Sequence, residues 1–221
     1  MTGPVHVSAK GILFDMDGVL VSSIEAAVRN WKRWAKRYGV PNPDEFVIPH
    51  GVRSIDLVKM LRPDIDPQEG QRAIEDMEVE DVADLKVLPG VKALLERLPP
   101  ERWAIVTSAT RRLLLARLQA AGLPVPERII TGEMVERGKP DPEPYRRGAE
   151  LLGFSPSECV IVEDAPSGVE AGKAAGCRVL AVLGTHEAAE LGDADWVVES
   201  LEGLAVTIKP DGLELRFSPV G

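Results

Sequence analysis

Short apolar runs alternate with amphipathic stretches along most of this chain. The runs cover residues 11–15, 103–107, 128–131, 159–163, 178–183 and 195–198. Continuous apolar segments of this length predict strands buried on both faces of a parallel sheet. Between them, residues 91–98, 111–121, 142–152 and 167–175 carry helical periodicity. Three of these helical stretches run into Gly122, Gly153 and Gly176, the residue type favoured just past a helix C-terminus. Strand–helix alternation predicts βαβ units and hence a doubly wound, Rossmann-like α/β core. The end of the chain differs: residues 205–208 and 213–217 flank Lys209-Pro-Asp-Gly212, which predicts a C-terminal β-hairpin.

One region breaks the alternation. Between Leu20 and about Leu88 no parallel strand is predicted. Residues 24–38 form an amphipathic pattern with Val28, Trp31 and Ala35 on one face, and residues 53–61 and 68–85 also pattern as helices. Loops bearing Pro41-Asn-Pro43 and Pro49-His-Gly51 join them. The expectation is a helical cap, residues 22–86, inserted after the first strand of a core formed by residues 1–21 and 87–221. Such a cap would lie over the carboxyl edge of the sheet.

Composition narrows the function classes. With 221 residues the chain can build a full core, and a net charge of -9 argues against a nucleic-acid partner. It does not exclude an anionic substrate, because local positive charge overrides the global sign. Cys159 and Cys177 sit in apolar or helical contexts and are expected as free, buried thiols in a reducing compartment. Residues 1–10 lack an apolar signal core, and no stretch is long enough to span a membrane. The expected setting is the cytoplasm, without a membrane partner. No exposed apolar helix face argues for a dimer, so a monomer is expected.

The chemistry concentrates at strand ends. Gly11-Ile-Leu-Phe-Asp-Met-Asp-Gly18 passes from an apolar run into two aspartates. Ligands of parallel sheets bind beyond the carboxyl ends of the strands. Paired acids there suit a metal site, a nucleophile or an acid/base pair. Thr107-Ser108 follow the second run, Lys139 follows the third within Arg137-Gly-Lys-Pro-Asp-Pro142, and Glu163-Asp164 close the fourth. Each supplies a group that phosphoryl transfer needs. A phosphate dianion is repelled from a carboxylate by about 8 kcal/mol at roughly 4 Å and an effective dielectric of about 20. Positive charge is therefore required. Mg²⁺ prefers oxygen ligands and binds through one or two carboxylates, which Asp15 and Asp164 would provide.

This set of motifs, with the early helical insert, resembles the haloacid dehalogenase-like superfamily of aspartyl-nucleophile phosphatases over nearly the whole chain. Trp103-Ala-Ile-Val-Thr-Ser108, Gly138-Lys-Pro-Asp-Pro142, Val162-Glu-Asp-Ala-Pro166 and the Pro-Asp-Gly hairpin resemble its sugar-phosphatase branch. That branch includes bacterial sugar phosphatases, 2-deoxyglucose-6-phosphate phosphatase and glycerol-3-phosphatase. The resemblance implies a Mg²⁺-dependent phosphatase acting on a small phosphorylated metabolite, a sugar or polyol phosphate, through an aspartyl-phosphate. It implies Asp15 as nucleophile and metal ligand. Asp17 would be general acid/base through its side chain and metal ligand through its backbone carbonyl. Asp164 would complete the metal's protein ligands, with Glu163 behind them or bound through water. Lys139 would place charge on the nucleophile and phosphoryl oxygens, next to a cis Lys139–Pro140 bond. Thr107 and Ser108 would bind the phosphate. In the cap, His50 and Arg53 resemble the substrate-specificity loop.

Two rivals bear on this expectation. Val19 stands where most phosphatase relatives carry threonine and hexose-phosphate mutases often carry valine, which raises a β-phosphoglucomutase-like isomerase. Against it, Ala27 occupies the place of those mutases' supporting histidine. Phosphonatases carry a cap lysine where this chain has Ser54, with Lys59 a turn or more away. A non-catalytic sugar-phosphate-binding module is the second rival, but a binder has no need of both aspartates. Glu25 and Arg111 are expected on solvated helix faces. Trp31, Trp34 and Trp103 are expected in cores or at the domain interface.

Overall fold

The computed structural model describes residues 3–45 and 47–220. The chain opens with β1 (Val5–Ala9), β2 (Gly11–Phe14) and β3 (Val21–Ser22). Three helices follow, α1 (Ile24–Arg37), α2 (Ser54–Leu61) and α3 (Pro67–Glu80), before β4 (Lys86–Val87). Alternation then sets in: α4 (Val91–Arg97), β5 (Trp103–Val106), α5 (Arg111–Ala121), β6 (Ile129–Ile130), α6 (Glu143–Leu152), β7 (Cys159–Glu163), α7 (Pro166–Ala175) and β8 (Arg178–Val182). It closes with β9 (Trp196–Val198), β10 (Ala205–Lys209) and β11 (Gly212–Phe217).

The parallel sheet has the order β6-β5-β2-β7-β8-β9. Strand order reverses between β2 and its neighbours, so β2 and β7 flank the topological switch point where α/β sheets bind ligands. The apolar runs are continuous because both faces are covered. In β2, Ile12 and Phe14 face one core with Ile105, Leu114 and Val162, while Leu13 faces the other with Val106, Tyr145 and Ile161. Helices α5, α6 and α7 end at Gly122, Gly153 and Gly176, each with positive φ as expected.

The hairpin β10–β11 forms, and it recruits a strand the apolar pattern did not predict. β1 pairs antiparallel with β11 in the register Val5↔Phe217 to Ala9↔Leu213. Its alternating Val5, Val7 and Ala9 are too few to signal a strand without that partner.

The helices α1, α2 and α3 share a separate cluster built on Trp31, Trp34, Leu57, Val58 and Ile74. Trp34 Nε1 donates to the Gly70 carbonyl at 2.9 Å and locks α1 onto α3. Asp66 caps α3 by accepting the Gln68 N–H, with Pro67 in the first turn. The helix stops at Glu80 rather than continuing to residue 85, because Asp81 is held by Arg29 and Asn30 of α1. The chain then returns to β4, whose Val87 and Lys86 pair with Val21 and Ser22 of β3. This short antiparallel pairing brings both ends of the helical insert together. Trp103 lies in the core of the sheet, and Glu25 and Arg111 are exposed.

Candidate active site

The carboxyl ends of β2, β5 and β7 converge on one cavity. Asp15 follows β2, and its N–H extends the ladder to the Val162 carbonyl at 3.0 Å. Glu163 ends β7 and Asp164 follows it. Thr107 and Ser108 follow β5, and Lys139 comes from the loop before α6.

Lys139 is the electrostatic centre. Its ammonium, fully inaccessible to solvent, lies 2.7 Å from Asp15 Oδ1 and 2.7 Å from Glu163 Oε1. It also stands 4.9 Å from the centre of the Tyr145 ring, a cation–π contact. Burial opposes its charge, but Asp15 and Glu163 outweigh burial and raise its pKa above the usual lysine value. Glu163 is saturated. Oε1 also accepts the Tyr145 hydroxyl at 2.7 Å, and Oε2 accepts the N–H groups of Asp164 and Ala165 at 2.8 and 3.1 Å. Burial works against its ionised form, yet Lys139 and these hydrogen bonds hold its pKa below the ordinary carboxylate value. A side chain on Gly168 would overlap this carboxylate, so glycine there lets α7 start directly against it. Glu163 therefore holds Lys139 in place and has no oxygen to spare.

The remaining acids are under-compensated. Asp15, Glu163 and Asp164 can bring carboxylate oxygens within 4.8 Å of one another, with one lysine among them. Burial pushes Asp15 up to about 7 against the pull of Lys139, and burial with Glu163 and Asp15 raises Asp164 well above its usual value. Among the described residues, Asp164 Oδ2 has no hydrogen-bond partner although it is buried. Gly18, at φ 80°, packs directly against that carboxylate, and a Cβ there would overlap it. In the turn after β2, Gly18 N–H bonds the Val21 carbonyl and the N–H groups of Leu20 and Val21 bond that of Met16. None of these bonds uses the Asp17 carbonyl. An orphaned carboxylate oxygen, an unused carbonyl and surplus negative charge fit a hard divalent cation with oxygen ligands.

Asp17 is held by residues the sequence did not single out. Ser23 donates its hydroxyl to Oδ1, and Arg117 Nη1 lies 2.7 Å from Oδ2. Arg117 Nη2 in turn lies 3.1 Å from Glu78 Oε1, on α3. Burial alone would favour the neutral guanidine, but Asp17 and Glu78 outweigh it and raise the Arg117 pKa. The signal available was positional: Arg117 falls on the buried stripe of α5 with Leu113, Leu114 and Leu118, and Glu78 falls one turn after buried Ile74.

The insert closes over this site. The cavity, about 100 Å³, is lined from the core by Asp15, Asp17, Thr107, Ser108 and Asp164, and from the insert by Trp31, His50, Ser54, Leu57 and Glu78. Ser108 Oγ donates to the Gly51 carbonyl at 2.5 Å and Ser167 Oγ to the His50 carbonyl at 2.8 Å. Thr107 Oγ1 accepts the Ala109 N–H at 3.1 Å. The His50 ring packs edge-on to His186 at 5.4 Å, and burial followed by His186 lowers its pKa. Arg53 does not line this cavity. Its guanidinium pairs with Asp56 at 2.6 Å and donates to the carbonyls of Gly132, Val135 and Glu136, which ties the insert to the core. Val19 is fully buried in the main core and does not line this cavity. Lys139–Pro140 is cis.

Comparison with known proteins gives the family. A family model described as haloacid dehalogenase-like hydrolase matches residues 12–182. Hexitol phosphatase A of Escherichia coli (strain K12) is 42% identical over 208 residues, spanning 92% of this chain and 96% of that protein. Glycerol-1-phosphate phosphohydrolase 1 of Saccharomyces cerevisiae is 32% identical over 233 residues, spanning 98% and 93%. Among solved structures, a hydrolase from Pseudomonas syringae superimposes with a TM-score of 0.79 at 25% identity, covering 87% of this chain and 94% of the other.

Proposed function

The chain belongs to the haloacid dehalogenase-like hydrolases, and from that premise we propose a Mg²⁺-dependent phosphatase that hydrolyses small sugar or polyol phosphate monoesters. The observation that carries this reading is the buried Asp15 carboxylate facing Lys139 at the switch point, with a second acid, Asp17, on the adjoining turn. The likeness to hexitol and glycerol-1-phosphate phosphatases over almost their full lengths supports the substrate class.

In the first step an Asp15 oxygen attacks phosphorus, and the bond from phosphorus to the ester oxygen breaks. Asp17 gives that oxygen a proton, so the alcohol leaves neutral. In the second step Asp17 takes a proton from water, whose oxygen attacks the aspartyl-phosphate. The phosphorus–Asp15 bond breaks and restores the carboxylate. Lys139 remains charged throughout and meets the charge spread over the transferring oxygens. Ser108 and Thr107 would receive the phosphate oxygens, Ser108 exchanging its Gly51 partner for one of them. The side chains of Asp15 and Asp164 and the Asp17 carbonyl would hold Mg²⁺, which when bound offsets the repulsion between phosphate and carboxylate. The insert acts as a cap: Asp15 is buried beneath it, so substrate reaches the site only when it lifts. His50 lines the cavity and would meet the substrate there, whereas Arg53 ties the insert to the core. The free, buried thiols suit a reducing compartment, which supports a cytoplasmic setting. Among the described residues no helix is long and apolar enough to cross a membrane.

The test is phosphate release from hexitol, hexose, pentose and glycerol phosphates with Mg²⁺ present, reported as kcat/KM. At least one of these esters should be hydrolysed, and Asp15→Asn should abolish turnover. Isomer formation without free phosphate would establish a mutase instead.

A further inference from the structure

The geometry points to Arg117 as a positioning residue for the acid/base carboxyl of Asp17, fixed in turn by Glu78 from the cap. This rests on the phosphatase reading above.

One buried guanidinium serves two carboxylates. Arg117 reaches Asp17 Oδ2 at 2.7 Å and Glu78 Oε1 at 3.1 Å. The Arg117 and Glu78 side chains are only 6% and 7% exposed. Removing such charges from water is expensive, and an apolar trio of similar volume would serve stability as well. All three side chains line the reaction cavity, so the charges are set where the chemistry occurs.

The two oxygens of Asp17 have partners of different kinds. Arginine is a donor only and stays protonated. Oδ2 is therefore an acceptor in every protonation state of Asp17. The proton that Asp17 transfers must ride on Oδ1. Ser23, the partner of Oδ1, carries a hydroxyl that both donates and accepts. It can donate to the carboxylate and accept from the acid. In the first step the Oδ1–H bond breaks and the proton goes to the ester oxygen, which takes the electron pair of the breaking P–O bond. Arg117 keeps Oδ2 anchored meanwhile.

Glu78 makes this arrangement depend on closure. It belongs to α3 of the cap, while Arg117 belongs to α5 of the core. The same two helices meet at the rim through Thr110 with Glu75 and through Arg112 with Glu75 and Asp76 at 3.0 and 2.5 Å. Those rim pairs dock the cap without touching Asp17.

The experiment compares the first-turnover rate of leaving-group release for p-nitrophenyl phosphate with that for the fastest alkyl ester among hexitol, hexose and glycerol phosphates. p-Nitrophenolate departs without a proton, whereas an alkoxide needs one. Arg117→Met should slow the alkyl ester by about 100-fold, the scale of general acid catalysis, and the aryl ester by less than about 5-fold. Glu78→Gln should show the same selective loss in smaller measure, and Arg117→Lys should recover part of it. Arg112→Met should leave the alkyl-to-aryl ratio unchanged. Arg117→Lys and Glu78→Gln change side-chain volume little, so they carry the comparison should Arg117→Met fail to fold. Equal losses on both esters, or none, would overturn the inference while leaving the phosphatase reading intact. A wild-type protein that releases phosphate from neither ester would defeat the phosphatase reading itself, and the inference with it.

Discussion

Lys139 Nζ lies 2.7 Å from Asp15 Oδ1, although 124 residues separate them along the chain. The same ammonium lies 2.7 Å from Glu163, and no solvent reaches it. A charge this deep is stable only because two carboxylates share it, so Asp15, Lys139 and Glu163 act as one unit.

Lys139→Met leaves Asp15 and Glu163 facing each other without a cation. The expected loss in kcat/KM is about 10²–10³-fold, typical of removing one stabiliser of transition-state charge. The metal-free variant should also lose about 3–5 kcal/mol of stability, as when one member of a buried ion pair is deleted. Activity within tenfold of wild type at saturating Mg²⁺ would show that Lys139 does not stabilise the transferring group.

Mg²⁺ should stabilise the protein more as pH rises through neutrality. Burial, opposed by Lys139 and assisted by Glu163 and Asp17, pushes the Asp15 pKa from 3.8 up to about 7. A carboxyl raised on folding contributes stability fully below its unfolded pKa, and that contribution is lost as pH climbs through the folded value. The metal-free protein therefore weakens between about pH 4 and pH 7 at this group, and the ionised form it then presents is the one that binds a cation. Saturating Mg²⁺, at about 100 times its Kd, adds about 2.7 kcal/mol. Thermal unfolding with and without Mg²⁺, at about pH 5.5 and about pH 8, should show the larger upward shift at the higher pH. An equal shift at both would contradict the assignment of Asp15 as a ligand.

Tyr145→Phe removes one of four donors to Glu163 and leaves the ring beneath Lys139. A hydrogen bond to a buried charge contributes about 1.5–3 kcal/mol. Urea unfolding should report a loss of that size, with kcat reduced far less than in Lys139→Met. A fall in kcat as large as that of the lysine variant would mean that the hydroxyl, not the ammonium, governs the site.

Both cysteines should resist alkylation in the native protein. Burial, the larger cause at each site, pushes the Cys159 and Cys177 thiols up to about 12. The thiolate is the reactive species. Iodoacetamide at about pH 8 should modify them only as fast as the protein opens, and urea should release both. Rapid modification of either thiol under native conditions would place it at an accessible site.

The motifs of the candidate site were legible because each is local. Asp15, Thr107 and Glu163 end apolar runs, and parallel strands deliver their carboxyl ends to one edge whatever their order in the sheet. The helical insert was legible for the same reason, since apolar positions spaced as a helix face require no distant partner. Arg53 shows where this ends. Its place at the start of α2 was visible, but a guanidinium with five donors takes whatever acceptors packing presents, here the Gly132, Val135 and Glu136 carbonyls. Val19 shows the converse: a departure from the expected motif whose side chain the turn buries in the core, outside the lining of the cavity.

What the sequence determined by itself is therefore the alternating α/β core, the inserted helices, the acids at the strand ends and the lysine in the loop after β6. Tertiary structure alone decided that β1 is a strand, because its partner β11 lies at the far end of the chain. It alone decided that Arg117 joins Asp17 across 100 residues and Glu78 across 39. The physical reason is range. Backbone periodicity and strand ends are set by neighbouring residues, whereas a buried charge is tolerated only where the whole fold brings its counter-charge within hydrogen-bonding distance.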